Sequence, residues 1–267
     1  MPGFGLTLGL SLTYMTLLIF IPLSALLLYA ARMPLGKLAA ALWDPRTLAA
    51  FKVSLGSALC AAGVNCCFGL AAAWALNRYQ FWGKRIVDAC IDLPFAIPTA
   101  VAGISLATVF SPQGLLGGVF RFFGADIGFS QAGIVIALVF TGLPFVVRTV
   151  QPVLEAFDWE QEEAAASLGA GYGQIFIRVI FPSILPALLT GAAMAFARGL
   201  GEYGSIIFIA SNMPYESEIV PLLIVKKLMQ FDYVGASVIG AAMLAAAFVM
   251  LFITNALQQY LQKRSSL

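Results

Sequence analysis

The sequence predicts an all-α fold, a polytopic membrane helix bundle with about six transmembrane helices. Its mean hydropathy is +0.92, and 61% of its 267 residues are hydrophobic while only 10% are charged. The apolar residues come in long runs, and a helical run of about eighteen or more can cross the ~30 Å hydrocarbon core of a bilayer. One bundle accounts for the length, so residues 1–267 form a single predicted transmembrane domain.

Six apolar segments, each bounded by charges or turn residues, are the predicted spans: 6–31, 53–76, 86–110, 132–151, 183–210 and 232–258. The first is interpreted as a span and not as a signal peptide, because residues 1–31 carry no Lys or Arg and the apolar run exceeds a typical h-region. The Gly-rich stretch 111–130 is either a re-entrant segment or a loop outside the membrane, since irregular backbone inside a bilayer needs protein or water around it.

The composition excludes several kinds of site. The chain has no histidine, which removes His-based catalysis and His-ligated metal sites. Its four cysteines match no metal or redox spacing and are interpreted as small buried hydrophobes. The net charge of +2 gives no indication of a nucleic-acid partner. No G-x-x-x-x-G-K-[ST] loop is present, so we expect no enzyme activity, catalytic residue, metal or cofactor in this chain.

Lysine and arginine counts do not orient the chain in the membrane. With six spans both termini share a side, and the two sides carry equal numbers of cations: Arg78, Lys84, Arg85, Arg148, Arg178, Lys263 and Arg264 on the side of the termini, and Arg32, Lys37, Arg46, Lys52, Arg121, Lys226 and Lys227 on the other.

Residues 155–182, which we name the acidic loop, follow the fourth span. The loop opens with a cluster of acids: Glu155, Asp158, Glu160, Glu162 and Glu163. Asp158 is a suitable N-cap with Gln161 completing a capping box, and the carboxylates meet the positive end of the helix dipole. Gly169 stands where a helix-ending glycine is expected. The pattern predicts a helix of about ten residues that stops at Gly169.

A second helical stretch, 174–181, is predicted after the glycine turn, with Pro182 and Pro186 marking the return to the membrane. Two short helices outside the bilayer form a more ordered element than a connection needs. A helix lying on the membrane surface is the alternative, but surface helices favour Lys and Arg over acids. A docking element for a soluble partner is therefore the preferred interpretation.

Three motifs resemble known permeases. The run Glu163-Ala164-Ala165-Ala166-Ser167-Leu168-Gly169-Ala170, closed by Val179-Ile180-Phe181-Pro182, resembles the EAA loop of bacterial ABC importer permeases, with a conservative departure in the closing element. The segments 92–103 and 197–204 resemble the signatures of the molybdate and sulfate permeases. Within that group, 218–225 and 231–233 are similar to the T-subunit group of sulfate/thiosulfate permeases.

The resemblance implies a type I ABC importer permease in a bacterial inner membrane, with both termini and the acidic loop cytoplasmic. It implies a related second permease, two ATPase subunits that use ATP and Mg, and a periplasmic substrate-binding protein. The loop becomes a coupling helix that docks on the ATPase through the following residues: Glu162, Glu163, Ala164, Ala165, Leu168, Gly169 and Ala170.

Charges inside spans are costly and mark candidate substrate residues. Arg198 and Glu202 lie four apart on one helical face, either as an anion contact with its counter-ion or as a structural pair. Lys84, Asp88 and Asp92 form a stripe that is interpreted as a salt-bridged start of the third span.

Prolines and hydroxyls of the third span supply further candidates. Pro94 and Pro98 each remove a backbone hydrogen bond, and a broken helix offers an amide end that suits a dianion. Proline-kinked packing is the equally weighted alternative. Three hydroxyl donors follow on the same span: Thr99, Ser105 and Thr108.

Three functions remain open on this basis. The first is a permease subunit for sulfate or thiosulfate, and the second is a permease for another oxyanion such as molybdate or tungstate. The third is a secondary transporter driven by an ion gradient, which needs intramembrane carboxylates and internal repeats. Only Glu202 is deep enough for that role, and no convincing repeat is present.

Overall fold

The computed structural model of the chain describes residues 3–122, 124 and 126–265, and side-chain surroundings as far as residue 256. The side chains of Lys263 and Arg264, residues 123 and 125 of the Gly-rich stretch, and both ends of the predicted domain 1–267 lie outside the described residues. The described helices, in chain order, are α1 Phe4–Ala31, α2 Leu35–Leu42, α3 Pro45–Arg78, α4 Lys84–Ile91, α5 Leu93–Ala96, α6 Thr99–Phe110, α7 Gly117–Phe122, α8 Gln131–Glu155, α9 Glu160–Ser167, α10 Tyr172–Leu200, α11 Ile206–Ile209, α12 Val220–Met229 and α13 Tyr233–Ser265.

Three long helices, α3, α8 and α10, pack on one another and form the centre of the bundle. One apolar core surrounds the first half of α3 and includes Ile134, Leu138 and Phe196. A second surrounds its last turns and includes Val146 and Ile184. Helix α13 packs on α10 and α12, and α1 packs on the outside of α13.

Five of the described helices, α1, α3, α8, α10 and α13, are long and apolar enough to cross a membrane. The prediction of an all-α, multi-span membrane bundle is therefore confirmed. The remaining predicted span, 86–110, is not one continuous helix but three pieces, α4, α5 and α6. Ile97 is extended, with φ −85° and ψ 130°, because the proline that follows disfavours helical backbone at the preceding residue.

The predicted fifth span, 183–210, has the wrong bounds at both ends. Helix α10 begins earlier, at Tyr172, and ends at Leu200, and a turn over 201–205 separates it from α11. The high hydropathy of the sequence runs on through this turn and hides it. The turn lies against the break between α5 and α6, since Gly204 approaches the Thr99 side chain at the start of α6.

The Gly-rich stretch 111–130 folds back on the end of α6. A Cβ on Gly114 or Gly117 would overlap backbone carbonyls of Thr108 to Ser111. The Phe129 amide donates to the Ile209 carbonyl at 2.8 Å, which ties the stretch to α11. The glycines therefore allow close backbone approach at this end of the bundle.

Candidate functional site

The first helix of the acidic loop, α9, is shorter than predicted but ends where expected. Asp158 Oδ1 accepts a hydrogen bond from the Glu160 amide at 3.1 Å. The reciprocal bond from Gln161 is absent from the described part of the chain, and α9 has eight residues. Gly169 has φ +85°, and the amides of Gly169 and Ala170 donate to Ala166 and Ala165. This is a Schellman ending, which requires a left-handed residue.

Helix α9 is fixed to the end of α3 by Arg78. One Arg78 nitrogen lies 2.6 Å from each Glu162 carboxylate oxygen. The guanidinium also stacks over the Trp159 ring at 4.1 Å, and Trp74 packs edge-on against Trp159. An ion pair, a cation–π contact and aromatic packing therefore hold the acidic loop to the membrane bundle.

Replacing Arg78 with Gln should loosen α9 by about 1–2 kcal/mol, because it removes a partly desolvated ion pair and a cation–π contact. We expect amide hydrogen exchange over residues 160–167 to become about 5- to 30-fold faster. Arg85→Gln is the control, since Arg85 is exposed and makes no ion pair among the described residues. Unchanged exchange in the Arg78 variant would contradict this account.

The outward face of the acidic loop is apolar at its tip. The side chains of Leu168 and Tyr172 are 88% and 90% exposed, on either side of Gly169. Glu163 and Ala164 are exposed beside them. Ala165 and Ala170 turn inward and pack on the core below. Of the predicted coupling residues, Glu162 thus holds the loop in place, while Glu163, Ala164, Leu168 and Gly169 are presented outward.

The second half of the acidic loop differs from the prediction. The stretch 174–181 is not a separate helix but the first turns of α10, so Pro182 and Pro186 do not mark a break. A π-helical turn, Phe176–Ile180, precedes Pro182. Such a turn accommodates the missing N–H and the bulk of the proline ring. The loop therefore continues directly into a membrane-spanning helix.

The candidate substrate residues lie where two broken helices meet. Pro94 lies in α5, and Pro98 precedes α6, as the predicted break requires. Gly204 approaches the Thr99 side chain and Gly103 approaches Ser205 so closely that neither has room for a Cβ. Ser105 and Thr108 are exposed on α6, and the Thr108 hydroxyl donates to the Ile104 carbonyl at 2.9 Å.

Arg198 and Glu202 form the predicted pair at the end of α10. Arg198 Nη1 lies 2.7 Å from Glu202 Oε2, but that oxygen has no aligned hydrogen-bond donor among the described residues. Glu202 Oε1 accepts from the Ser205 amide at 3.1 Å and its hydroxyl at 2.9 Å. Glu202 is 1% exposed, whereas the Arg198 side chain is 39% exposed. The carboxylate is thus anchored, and most donors of Arg198 remain open to a ligand.

Asp88 and Asp92 pair with Arg148 of α8, not with Lys84. Arg148 lies 2.7 Å from Asp88 and 2.6 Å from Asp92. Lys84 makes no ion pair within the described residues. The third span therefore starts with salt bridges, as expected, but the cation is Arg148 of α8 and not Lys84.

A cluster of three charges around one buried carboxylate lies at the opposite end of α3 from the acidic loop. Glu218, 1% exposed, accepts bonds of 2.6 and 2.7 Å from Arg46 and one of 2.6 Å from Lys226. Burial raises the pKa of Glu218, but the bonds from Arg46 and Lys226 outweigh it and hold the pKa below its ordinary value. Helix α3 has 34 residues, so the two ends lie about 50 Å apart.

These long-range ion pairs were not predicted from the sequence. Arg46 and Glu218 are 172 residues apart, and Arg78 and Glu162 are 84 apart. Local periodicity carries no information on such pairs. The available signal was the clustering of unlike charges at segment ends.

Comparison with known proteins places the chain in one family. The family model described as "Binding-protein-dependent transport system inner membrane component" matches residues 66–267. The chain is 49% identical over 247 residues to a sulfate transport system permease protein CysT of Synechococcus elongatus, covering 92% of this chain and 89% of that one. It is 46% identical over 264 residues to the CysT protein of Escherichia coli, covering 99% and 95%.

Solved structures share the fold at low sequence identity. A chain of a bacterial alginate ABC transporter, in complex with an alginate-bound periplasmic protein, matches with a TM-score of 0.75 at 17% identity, covering 96% of this chain and 94% of that one. A chain of the MetNI methionine ABC transporter matches with a TM-score of 0.57 at 18% identity, covering 78% and 93%. These structures share the multi-span helix bundle, and the family model covers residues 66–267: the chain belongs to the family of inner-membrane components of binding-protein-dependent transport systems.

Proposed function

We propose that this chain is the permease subunit of an ATP-driven importer for sulfate or thiosulfate. The observation that carries the substrate is the identity of 45–49% over most of the chain to permeases named for sulfate transport. In this proposal a related second permease completes the translocation path, two ATPase subunits use ATP and Mg, and a periplasmic binding protein delivers the anion.

The acidic loop is the proposed coupling element, and it faces the cytoplasm together with both termini. Leu168 and Tyr172 form an apolar tip for a groove on the ATPase, and Glu163 lies beside them on the exposed face. The loop continues without interruption into α10, a helix of 29 residues. Movement of the tip is therefore transmitted along about 43 Å to the far end of this helix.

That far end carries the proposed anion path. Arg198 lies in the last turn of α10, and the unpaired amides of the α6 N-terminus begin at Thr99, beside the turn over 201–205. Amide ends and hydroxyls are donors that attract a dianion. Glu202 lowers the net charge beside Arg198, so the path attracts the anion without trapping it. In this proposal the periplasmic binding protein, and not the path, binds the anion with high affinity.

The test is uptake of labelled sulfate into proteoliposomes that hold the permease pair, the ATPase and the loaded binding protein. We expect uptake that requires ATP and is lost with a hydrolysis-deficient ATPase. Excess sulfate and thiosulfate should compete, while molybdate and tungstate should compete weakly. Uptake driven by a proton gradient without ATPase would overturn the proposal, and stronger competition by molybdate would change the substrate.

A further inference from the structure

A cavity of about 710 Å³ lies at the end of the bundle remote from the acidic loop. It is bounded by the first turns of α3, the start of α8 and the loop before α12. Its polar lining consists of Lys52, Ser57, Cys60, Gln131 and Tyr215, and no carboxylate is among its lining residues in the described part of the chain. Arg198 and Glu202 do not line this cavity, and nothing above assigns it a role.

The printed lining of this cavity carries one charge in the described part of the chain, the ammonium of Lys52. Lys52 is exposed and makes no ion pair among the residues that the structure describes. Arg46, an electrostatic neighbour of Tyr215, is itself balanced by Glu218 and Asp44, so Lys52 is the cation left to face the cavity. A cavity with apolar walls and an excess of one sign of charge raises the local concentration of the opposite ion.

The wall of the cavity is held in place before any ligand arrives. The Gln131 amide nitrogen donates to the Glu216 carbonyl. Ser217 Oγ accepts from the Met213 amide at 3.2 Å and lies 2.5 Å from Ser211 Oγ. Tyr215, at φ +69°, is fixed between these bonds in a backbone region that non-glycine residues seldom adopt. The cavity is therefore preorganised.

We propose that this cavity is a mouth site for the transported oxyanion, with Lys52 as its cation and the Ser57 and Tyr215 hydroxyls as further donors. The proposal rests on the proposed function, which places this end outside the cytoplasm and makes the cargo an oxyanion. A single ammonium is a point charge without the bidentate fork of arginine. The site therefore holds the anion weakly and passes it on towards the path at Arg198.

Native cysteines provide the test, because Cys60 and Cys67 are exposed and not buried as the sequence predicted. Cys60 lines this cavity, and Cys67 lines a different cavity beside the Arg78–Glu162 pair. Two variants of the complete importer in nanodiscs each keep one of these cysteines, with the other cysteines of the chain changed to Ala. The rate of modification by an anionic methanethiosulfonate reagent is compared with that of its cationic analogue, with and without inorganic sulfate.

We expect Cys60 to react about three- to tenfold faster with the anionic reagent than with the cationic one. Sulfate should slow Cys60 modification and leave Cys67 unaffected. Lys52→Gln should abolish both effects at Cys60, and Lys52→Arg should keep them. Lys37→Gln is the matched control, because it removes an exposed lysine near the same end that does not line the cavity.

Equal rates with both reagents, or sulfate protection that survives Lys52→Gln, would overturn the mouth site. Uptake measured on the same preparations separates this failure from failure of the proposed function. If ATP-driven sulfate uptake is present and Cys60 shows no protection, only the mouth site is wrong. If uptake is absent and thiosulfate, molybdate and sulfate all fail to protect Cys60, both proposals are wrong.

Discussion

Replacing Gly169 with valine is expected to reduce ATP-driven uptake by at least about tenfold while the membrane bundle stays folded. Gly169 has φ +85°, and a left-handed backbone costs a β-branched residue about 1–3 kcal/mol. The strain is relieved by undoing the Schellman ending of α9. Leu168 and Tyr172 then lose their fixed spacing, and a loss of about 1.4 kcal/mol in docking is already tenfold in affinity.

Gly171→Val is the matched control for this prediction. Gly171 lies two residues further on, at φ −74° and ψ 159°, an extended backbone that valine adopts readily. A Cβ at this position meets nothing within 4 Å. We expect Gly171→Val to keep both ATPase binding and uptake.

Asparagine at position 169 separates backbone strain from side-chain bulk. Asparagine tolerates left-handed backbone better than valine, so Gly169→Asn should retain a larger share of ATPase binding, measured by co-purification. If asparagine and valine are equally harmful, the lost function comes from bulk at the docking surface. If neither variant affects binding or uptake, the acidic loop is not the coupling device.

The sequence predicted the features of this fold that depend on local chemistry. Gly169 comes just after the helix-favouring run 161–166, and a glycine in that position ends a helix for reasons confined to its own turn. Pro94 and Pro98 likewise break the third span because they remove local hydrogen bonds. These elements were found because their causes lie within a few residues.

Features that depend on neighbours in space were missed or misplaced. Pro182 is absorbed by a π-helical turn in α10, so a residue that normally ends a helix does not do so. Arg148 pairs with Asp88 and Asp92 from 60 and 56 residues away, and the nearer cation, Lys84, is left out. The packing of α8 decides which cation pairs with the two aspartates, and the local sequence pattern does not contain that information.

Replacing Glu218 with glutamine is expected to lower stability by about 2–4 kcal/mol, because it strands two cations that shared one buried carboxylate. This loss of stability is at the low end for a broken buried ion pair. The Arg46 and Lys226 side chains are 30% and 31% exposed, so water screens part of the cost of leaving them unpaired. In detergent we expect a drop of about 5–10 °C in the unfolding midpoint.

Glu216→Gln is the control for this prediction, since Glu216 is exposed two residues away and makes no ion pair in the described chain. It should leave the midpoint unchanged. Adding Arg46→Gln to the Glu218 variant removes one stranded cation. The double variant should therefore lose less than the sum of the two single changes. If the stability loss of the double variant equals the sum of the two single losses, the three charges do not act as a cluster.

The stability difference between the native chain and Glu218→Gln should also depend on pH. The pKa of Glu218 is lowered in the folded chain from its ordinary value of 4.5, so the unfolded chain binds the proton more readily. The stabilisation that ionised Glu218 contributes is therefore fully present above about pH 4.5. It disappears as the pH falls through the lower pKa of Glu218 in the folded chain. Midpoints of the two proteins, measured from neutral pH downwards, should converge only in that acid range. A difference that persists unchanged below it would mean that glutamine acts through shape and not through the loss of charge.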